Sequence, residues 1–292
     1  MPKDISTLVG DIYATISNPK GFDKANVIAF GENLATRLSE RLSEVRGATT
    51  LRASNLGKPC ARQLYYDVHN PDDREPLPPA ARLKFLFGDI LEELLLFLAR
   101  ESGHTVTSEQ AEIDVNGVKG HIDGIIDGRL VDCKSASSYA FTKFKEHKVA
   151  EDDAFGYIDQ LGVYLAGSDA LPDLVEHDVA SFLAIDKSLG HLVLDTYPKP
   201  AKDYTALVDE RRAMLAHEHP PERPYTDVPH QKSGNRKLGV ACSYCPFKHK
   251  CWPEMRKFIY ATGPVYLTDV QRLPSAPEVD KDGNRVNVDE TF

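Results

Sequence analysis

Asp132-Cys133-Lys134 sets a carboxylate and an ammonium two positions apart, and a second carboxylate, Asp123, stands nine residues earlier. Successive side chains of a strand point to opposite faces. Asp132 and Lys134 therefore share one face, and Val131 and Cys133 share the other. The Asp127-Gly128 pair is a tight-turn signal. It predicts that Asp123 lies on the preceding strand, pairs with this one and comes near Asp132. Two carboxylates and a lysine among Ile122, Ile125, Ile126, Leu130 and Val131 are costly to bury unless they are paired or bind a metal. Oxygen donors suit Mg²⁺ or Mn²⁺. Such an ion activates water and stabilises a leaving alkoxide on phosphorus, and a lysine beside it neutralises charge on the phosphate or holds the water. The plain alternative is a surface Asp–Lys pair on an edge strand, and the triplet by itself leaves it open. His121 shares the face of Asp123 in a regular strand. It either supports the site or is an ordinary hydrogen-bonded strand histidine.

The second chemical signal is the cysteines at 60, 133, 242, 245 and 251. An odd count with three clustered late in the chain does not make a disulfide framework. Cys242-x₂-Cys245-x₅-Cys251, with Cys60 182 residues before Cys242, reads as metal or cluster ligation. Four thiolates suit either a zinc ion or an iron–sulfur cluster, and spacing leaves both open. Cys133 stands apart, on the core face of the acidic strand.

These residues need elements to position them. Apolar residues at helical spacing predict helices over 4–16, Lys24–Val45 and Ala80–Glu101. The first two look like a helical N-terminal extension with a packing role. Alternation predicts strands at Thr105–Val115, Val118–Ile126 and Arg129–Ser135, the first two joined by an Asn116-Gly117 hairpin turn. Helices follow at Tyr139–Lys148 and Ala154–Ala166, a hairpin at Val179–Asp186 and Leu192–Tyr197, and a helix at Lys202–His217. Pro220, Pro221 and Pro224 end that helix. This order predicts an α/β, mixed α+β core rather than a barrel or a Rossmann domain. The expected organisation is a helical extension over 1–50, one domain over 51–260 closed by the cysteines, and a mobile, acidic tail over 261–292.

Composition narrows the classes. The chain has 292 residues, 41% hydrophobic and 27% charged, and a net charge of −9. It is neither disordered in composition nor a histone-like polycation. No apolar run approaches the ~20 residues of a spanning helix, and the N-terminus lacks the apolar stretch of a signal peptide. The expectation is a cytoplasmic protein without a membrane partner. Charge is uneven, however. Val45–Tyr66 carries Arg46, Arg52, Lys58 and Arg62 and no acid, and Thr226–Tyr260 carries seven bases against two acids. Such segments can form a phosphate track. Arg62, Lys248 and Lys250 are its candidate DNA contacts.

Five motifs in order resemble the PD-(D/E)XK nuclease superfamily, in its RecB-like branch. They are Ser54-x-Leu56-x₃-Cys60-x-Arg62-x-Leu64-x-Tyr66, Gly88-Asp89-Ile90-Leu91-Glu92, Asp123 with Asp132-Cys133-Lys134, Gln160-x₃-Tyr164, and the late cysteine cluster. The resemblance spans roughly residues 54–258. It implies a central mixed sheet flanked by helices and hydrolysis of DNA phosphodiester bonds with Mg²⁺ or Mn²⁺. Glu92, Asp123, Asp132 and the Cys133 backbone carbonyl would be metal ligands, with Glu92 where many members have His. Lys134 would be the catalytic lysine, with Gln160 and Tyr164 beside the site. The cysteine distribution is similar to that of the CRISPR-associated RecB-like exonuclease and the AddB nuclease domain. It implies a structural 4Fe–4S cluster on Cys60, Cys242, Cys245 and Cys251, with Zn²⁺ as the alternative. The resemblance implies an exonuclease of the phage type acting in recombination or DNA degradation, in the host cytoplasm if phage-encoded, alongside recombination or single-strand-binding proteins. The other readings are a CRISPR-adaptation nuclease that trims spacer precursors, and a catalytically idle DNA-binding module.

Overall fold

The structure is a computed structural model that describes residues 3–18, 21–43, 50–280 and 283–286. In chain order its elements are α1 (Leu8–Ser17), α2 (Lys24–Ser43), α3 (Ala53–Leu56), α4 (Ala61–His69), α5 (Pro79–Glu101), β1 (Val106–Thr107), β2 (Glu112–Val115), β3 (Val118–His121), β4 (Gly124–Ile126) and β5 (Arg129–Ala136). Then come α6 (Ser138–Lys145), α7 (Tyr157–Ser168), β6 (Val179–Asp186), β7 (Leu192–Pro198) and α8 (Tyr204–Leu215). The last third holds β8 (Val228–Pro229), β9 (Arg236–Lys237), α9 (Val240–Ser243), α10 (Lys248–Cys251), β10 (Arg256–Tyr260), β11 (Gly263–Asp269) and β12 (Glu278–Val279). The chain divides into two units. One is Met1–Pro59 with Leu77–Ala213, the other Cys60–Pro76 with Met214–Phe292. The single domain expected over 51–260 is thus two units, and the second interrupts the first in sequence. The expected end of α2 at Val45, and Arg46, lie outside the described residues.

The first unit is built on a mixed five-stranded sheet in the order β1-β4-β5-β6-β7. Among the described residues, only its strands β5 and β6 run parallel. A parallel pair needs a long crossover, and residues 137–178 with α6 and α7 supply it. Ser137 caps α6, its hydroxyl accepting from Ala140 N, and the Asp153 carboxylate accepts from the Tyr157 and Ile158 amides at the start of α7. The sheet is covered on both faces. Leu130, Phe182 and Ala184 pack in one core with Phe141, Phe144 and Tyr164, and Val131 and Leu183 pack in another with Leu8, Ile12, Leu95 and Leu96. Class, then, is mixed α and β, with helices against a mixed sheet.

Two expected strands are broken. Thr105–Val115 becomes β1 and β2, and Val118–Ile126 becomes β3 and β4. The hairpin at Asn116-Gly117 joins β2 to β3, but these form a separate two-stranded sheet. The apolar phase shifts between the pieces, from Val106 to Ile113 and Val115 and from Val118 and Ile122 to Ile125, but stretches this short hold too few residues for the shift to mark a change of sheet. The Asp127-Gly128 turn joins β4 to β5 with Ile126 opposite Arg129. Both turn residues have positive φ, 48° and 88°, the combination of a type I′ hairpin.

The second unit carries a five-stranded antiparallel sheet, β12-β10-β11-β9-β8. Two of its strands, β11 and β12, fall within the stretch 261–292 expected as a tail. β11 is the middle strand, pairing with both β10 and β9, and its Leu267 is fully buried. The polar composition after Pro274 masked the alternation of Val265 and Leu267 just before it. Residues 287–292 lie outside the described part.

Candidate functional site

The acidic site forms where β4 stops and β5 continues. β4 pairs Gly124 with Val131, and continuing that register by one residue brings Asp123 alongside Asp132. Beyond Val131, β5 has no β4 residue beside it, and the Asp123 carboxylate takes the free amide: Cys133 N donates to its Oδ2 at 2.7 Å. Asp123 therefore sits in a bend just before β4 rather than within a strand. Asp132 and Lys134 share the sheet face of Leu130, and Cys133 packs on the opposite face with Val131. His121 does not reach the site. It is exposed at the end of β3, opposite Glu112 on the small sheet.

Helix α5 adds Glu92. Its Oε1 accepts from Gln110 Nε2 at 2.9 Å and is ion-paired with Arg37 of α2. Glu93 is also buried, and Arg37 Nε donates to it at 2.8 Å. Burial, then the negative charge of Asp132 and Glu93, raises the Glu92 carboxyl above its ordinary value against the pull of Arg37. Burial, followed by the charges of Glu92 and Asp132, raises Asp123 well above the usual range. Three carboxylates from α5, the bend and β5 thus lie within one another's fields.

A polar chain runs from Asp132 into α7. Lys134 Nζ lies 2.5 Å from Asp132 Oδ2. It donates to Gln160 Oε1 at 3.3 Å, and Gln160 Nε2 donates to the Tyr164 hydroxyl at 2.8 Å. Gln160 and Tyr164 are one helical turn apart and so share a face. The ammonium also lies 4.9 Å from the Tyr157 ring centroid, a cation–π contact. Burial pulls the Lys134 value down, but Asp132 and Asp123 outweigh it and raise it well above the ordinary lysine range. Lys134 is therefore a fixed cation at neutral pH. Burial raises Tyr164, with the Asp132 and Asp123 charges adding to it, so its hydroxyl stays neutral.

The donor set fits a hard divalent cation. It is all oxygen, it gathers like charges, and the buried Asp132 Oδ2 has no aligned hydrogen-bond donor despite the nearby ammonium. Among the described residues, however, no three Asp, Glu, His or Cys side chains converge closely enough to grip an ion as they stand. Arg37 holds Glu92, the Cys133 amide holds Asp123, and Lys134 holds Asp132. Sequence reasoning missed Arg37, Gln110, Glu93 and Tyr157. The first two come from a distant helix and a loop and carry no local signal. Glu92 and Glu93, as neighbours on a helix, point ~100° apart, yet one guanidinium spans both acids.

The second unit brings Cys60, Cys242, Cys245 and Cys251 to the wall of one pocket. Cys60 is the N-cap of α4, its sulfur accepting from Gln63 N at 3.4 Å. Cys245 sulfur accepts from Phe247 N at 3.4 Å. Burial raises the Cys60 and Cys242 thiols, and Cys245 to about 12. A metal or cluster there would have to displace these protons. The soft donors and the amides aimed at sulfur suit such a group, but among the described residues these sulfurs, too, do not converge closely enough to hold an ion as they stand.

The expected DNA contacts are placed otherwise. Lys248 is buried, ion-paired with Glu75 and 4.8 Å from the Tyr266 ring centroid. Lys250 is ion-paired with Asp73 and lies over Tyr66. Arg62 donates to the Pro221 carbonyl at 2.6 Å and also lies over Tyr66. Each of the three charges has a partner within the unit. The run-based charge map could not see Glu75 and Asp73, which arrive from a segment 173 and 177 residues away.

No family model matches the chain. No curated protein matches it either. Among solved structures, one described as the crystal structure of SSO0001 is similar over 75% of this chain and 93% of that one, at 19% identity and a TM-score of 0.40. A likeness at that level bears on neither mechanism nor partner. Among the described residues no helix is long and apolar enough to cross a membrane.

Proposed function

We propose that this protein is a divalent-metal-dependent DNA exonuclease with a PD-(D/E)XK core of the RecB-like kind and a structural 4Fe–4S cluster. The gathering of Glu92 and Asp132 about Asp123, with Lys134 ion-paired to Asp132, carries this reading. The sheet supports it too, with antiparallel β4–β5, parallel β5–β6 and the lysine on β5.

Glu92, Asp123 and Asp132 would hold Mg²⁺ or Mn²⁺, with the Cys133 carbonyl as a further oxygen. A cation held there would supply Lewis-acid chemistry, activating water and taking up charge on the phosphate. Lys134 is aimed by Gln160 and Asp132 and stays protonated. It stabilises the developing charge on the phosphoryl oxygens rather than acting as a base. Tyr164 fixes the Gln160 amide and so the direction of the ammonium. In the second unit the four cysteines would carry the cluster, with the amides of Gln63 and Phe247 donating to two sulfurs. The proposed setting is DNA degradation or recombination in the cytoplasm.

The test is cleavage of end-labelled single- and double-stranded DNA with Mg²⁺ or Mn²⁺, followed as product length against time. Mononucleotides from the first time points support an exonuclease. No metal-dependent cleavage of either substrate overturns the assignment.

A further inference from the structure

Helix α2 is fastened lightly. It is 20 residues long and none of them is fully buried. Its inner stripe is Asn26, Phe30, Leu34, Arg37 and Leu38, all only half-buried. Phe30 meets Phe97 of α5 at 5.0 Å between ring centroids. The firm links are charged. Arg37 spans Glu92 and Glu93, and Arg41 grips Asp89 with two hydrogen bonds of 2.7 Å. All three acids belong to α5 and lie within five residues.

Arg37 meets the oxygen of Glu92 that Gln110 also holds. A guanidinium and a divalent cation compete for a carboxylate, since each needs the same lone pairs and brings the same sign of charge. An arginine within contact of Glu92 also repels a second cation at close range. Without another positive charge, Glu92, Glu93, Asp123 and Asp132 would leave a strongly negative pocket beside a single lysine.

We propose that Arg37 occupies the place of a cation at the acidic site, so that metal binding and the docking of α2 on α5 oppose each other. The inference rests on the metal-site reading above. Loading the site draws Glu92 toward Asp123 and Asp132 and releases Arg37. With that link gone, α2 keeps Arg41, the Asn26–Glu101 hydrogen bond near its N-terminus and a partly exposed apolar stripe, and its C-terminal half loosens. Arg37 is thus a positioning residue that sets how readily the site fills.

The experiment measures Mn²⁺ binding by titration calorimetry for the full-length protein, Arg37→Gln and Arg41→Gln. It also measures amide hydrogen exchange across Lys24–Ser43 with and without saturating Mn²⁺. Arg37→Gln is expected to bind Mn²⁺ about tenfold more tightly than wild type, the size of one lost charged hydrogen bond. Arg41→Gln removes the same charge one turn away and is expected to change affinity much less. In the wild type, Mn²⁺ is expected to speed exchange in α2. Equal affinities for Arg37→Gln and wild type, equal tightening by Arg41→Gln, or α2 exchange unchanged on loading overturns the inference and leaves the metal site standing. If neither wild type nor Arg37→Gln binds Mn²⁺, the metal-site reading itself falls, and this inference with it. Should Arg37→Gln fail to fold, exchange in the wild type decides alone.

Discussion

In the proposed mechanism Lys134 is the residue on which the chemistry would turn, because its charge is held by two acids and its direction by one amide. Lys134→Ala is expected to lower metal-dependent cleavage about 10²–10³-fold, the effect of losing one aimed charge-stabilising group, with a far-UV spectrum like wild type. Wild-type rates from that variant would remove Lys134 from the mechanism. Asp123 tests the electrostatics from the other side. Its folded-state value is raised, so its contribution to stability is full at low pH and is lost as pH rises through that raised value. Asp123→Asn removes this penalty while leaving an oxygen for the Cys133 amide. The metal-free variant should melt about 2–4 °C higher than wild type near neutral pH. The gain should vanish near pH ~4, where wild-type Asp123 is protonated. A variant that melts lower at neutral pH would show that the carboxylate is favourably paired and not crowded.

At the scale of elements, strand ends matter more than strands. Asp123 acts because β4 stops one residue short of it and leaves a β5 amide to be claimed. Lys248 makes the complementary point in α10, where a residue that looks like a DNA contact is a buried link to Glu75 and the Tyr266 ring. Lys248→Glu sets like charges together in that buried position, and about 1–3 kcal/mol of stability should go. Calorimetric melting of the variant checks this. An unchanged melting profile together with a flattened salt dependence of DNA affinity would return Lys248 to phosphate binding.

For the whole molecule, a cluster on the proposed cysteine site would close the chain between Cys60 and Cys242, which stand 182 positions apart. Closing so long a loop restricts the unfolded chain substantially. Protein prepared without oxygen is expected to be brown and to carry about four iron atoms per chain. Cys251→Ser should lose the colour, and amide protection in β10 and β11 should fall while β5 and β6 stay protected. Stoichiometric zinc without iron would establish the Cys₄ zinc alternative. Truncation after Tyr260 gives a separate check on the second unit. It removes β11, the middle strand, and buried Leu267, so β10 should lose its protection. Retained protection would restore the tail to a dispensable segment.

Local pattern was enough for the mixed α and β class, the apolar stripe of α5, the Asn116-Gly117 and Asp127-Gly128 turns, and the shared face of Asp132 and Lys134. Each follows from periodicity or turn chemistry that acts over a few residues. Placing Gln160 and Tyr164 on one helix face was legible for the same reason. Only the tertiary structure decided that 118–126 splits between two sheets, because the shift of apolar phase from Val118 and Ile122 to Ile125 falls in too few residues to mark a change of partner. It alone brought Arg37 and Gln110 to Glu92 and set Glu75 and Asp73 against Lys248 and Lys250. Those pairings join segments 18 to 177 residues apart. Charge acts through space, and no local sequence pattern records which distant partner will neutralise it.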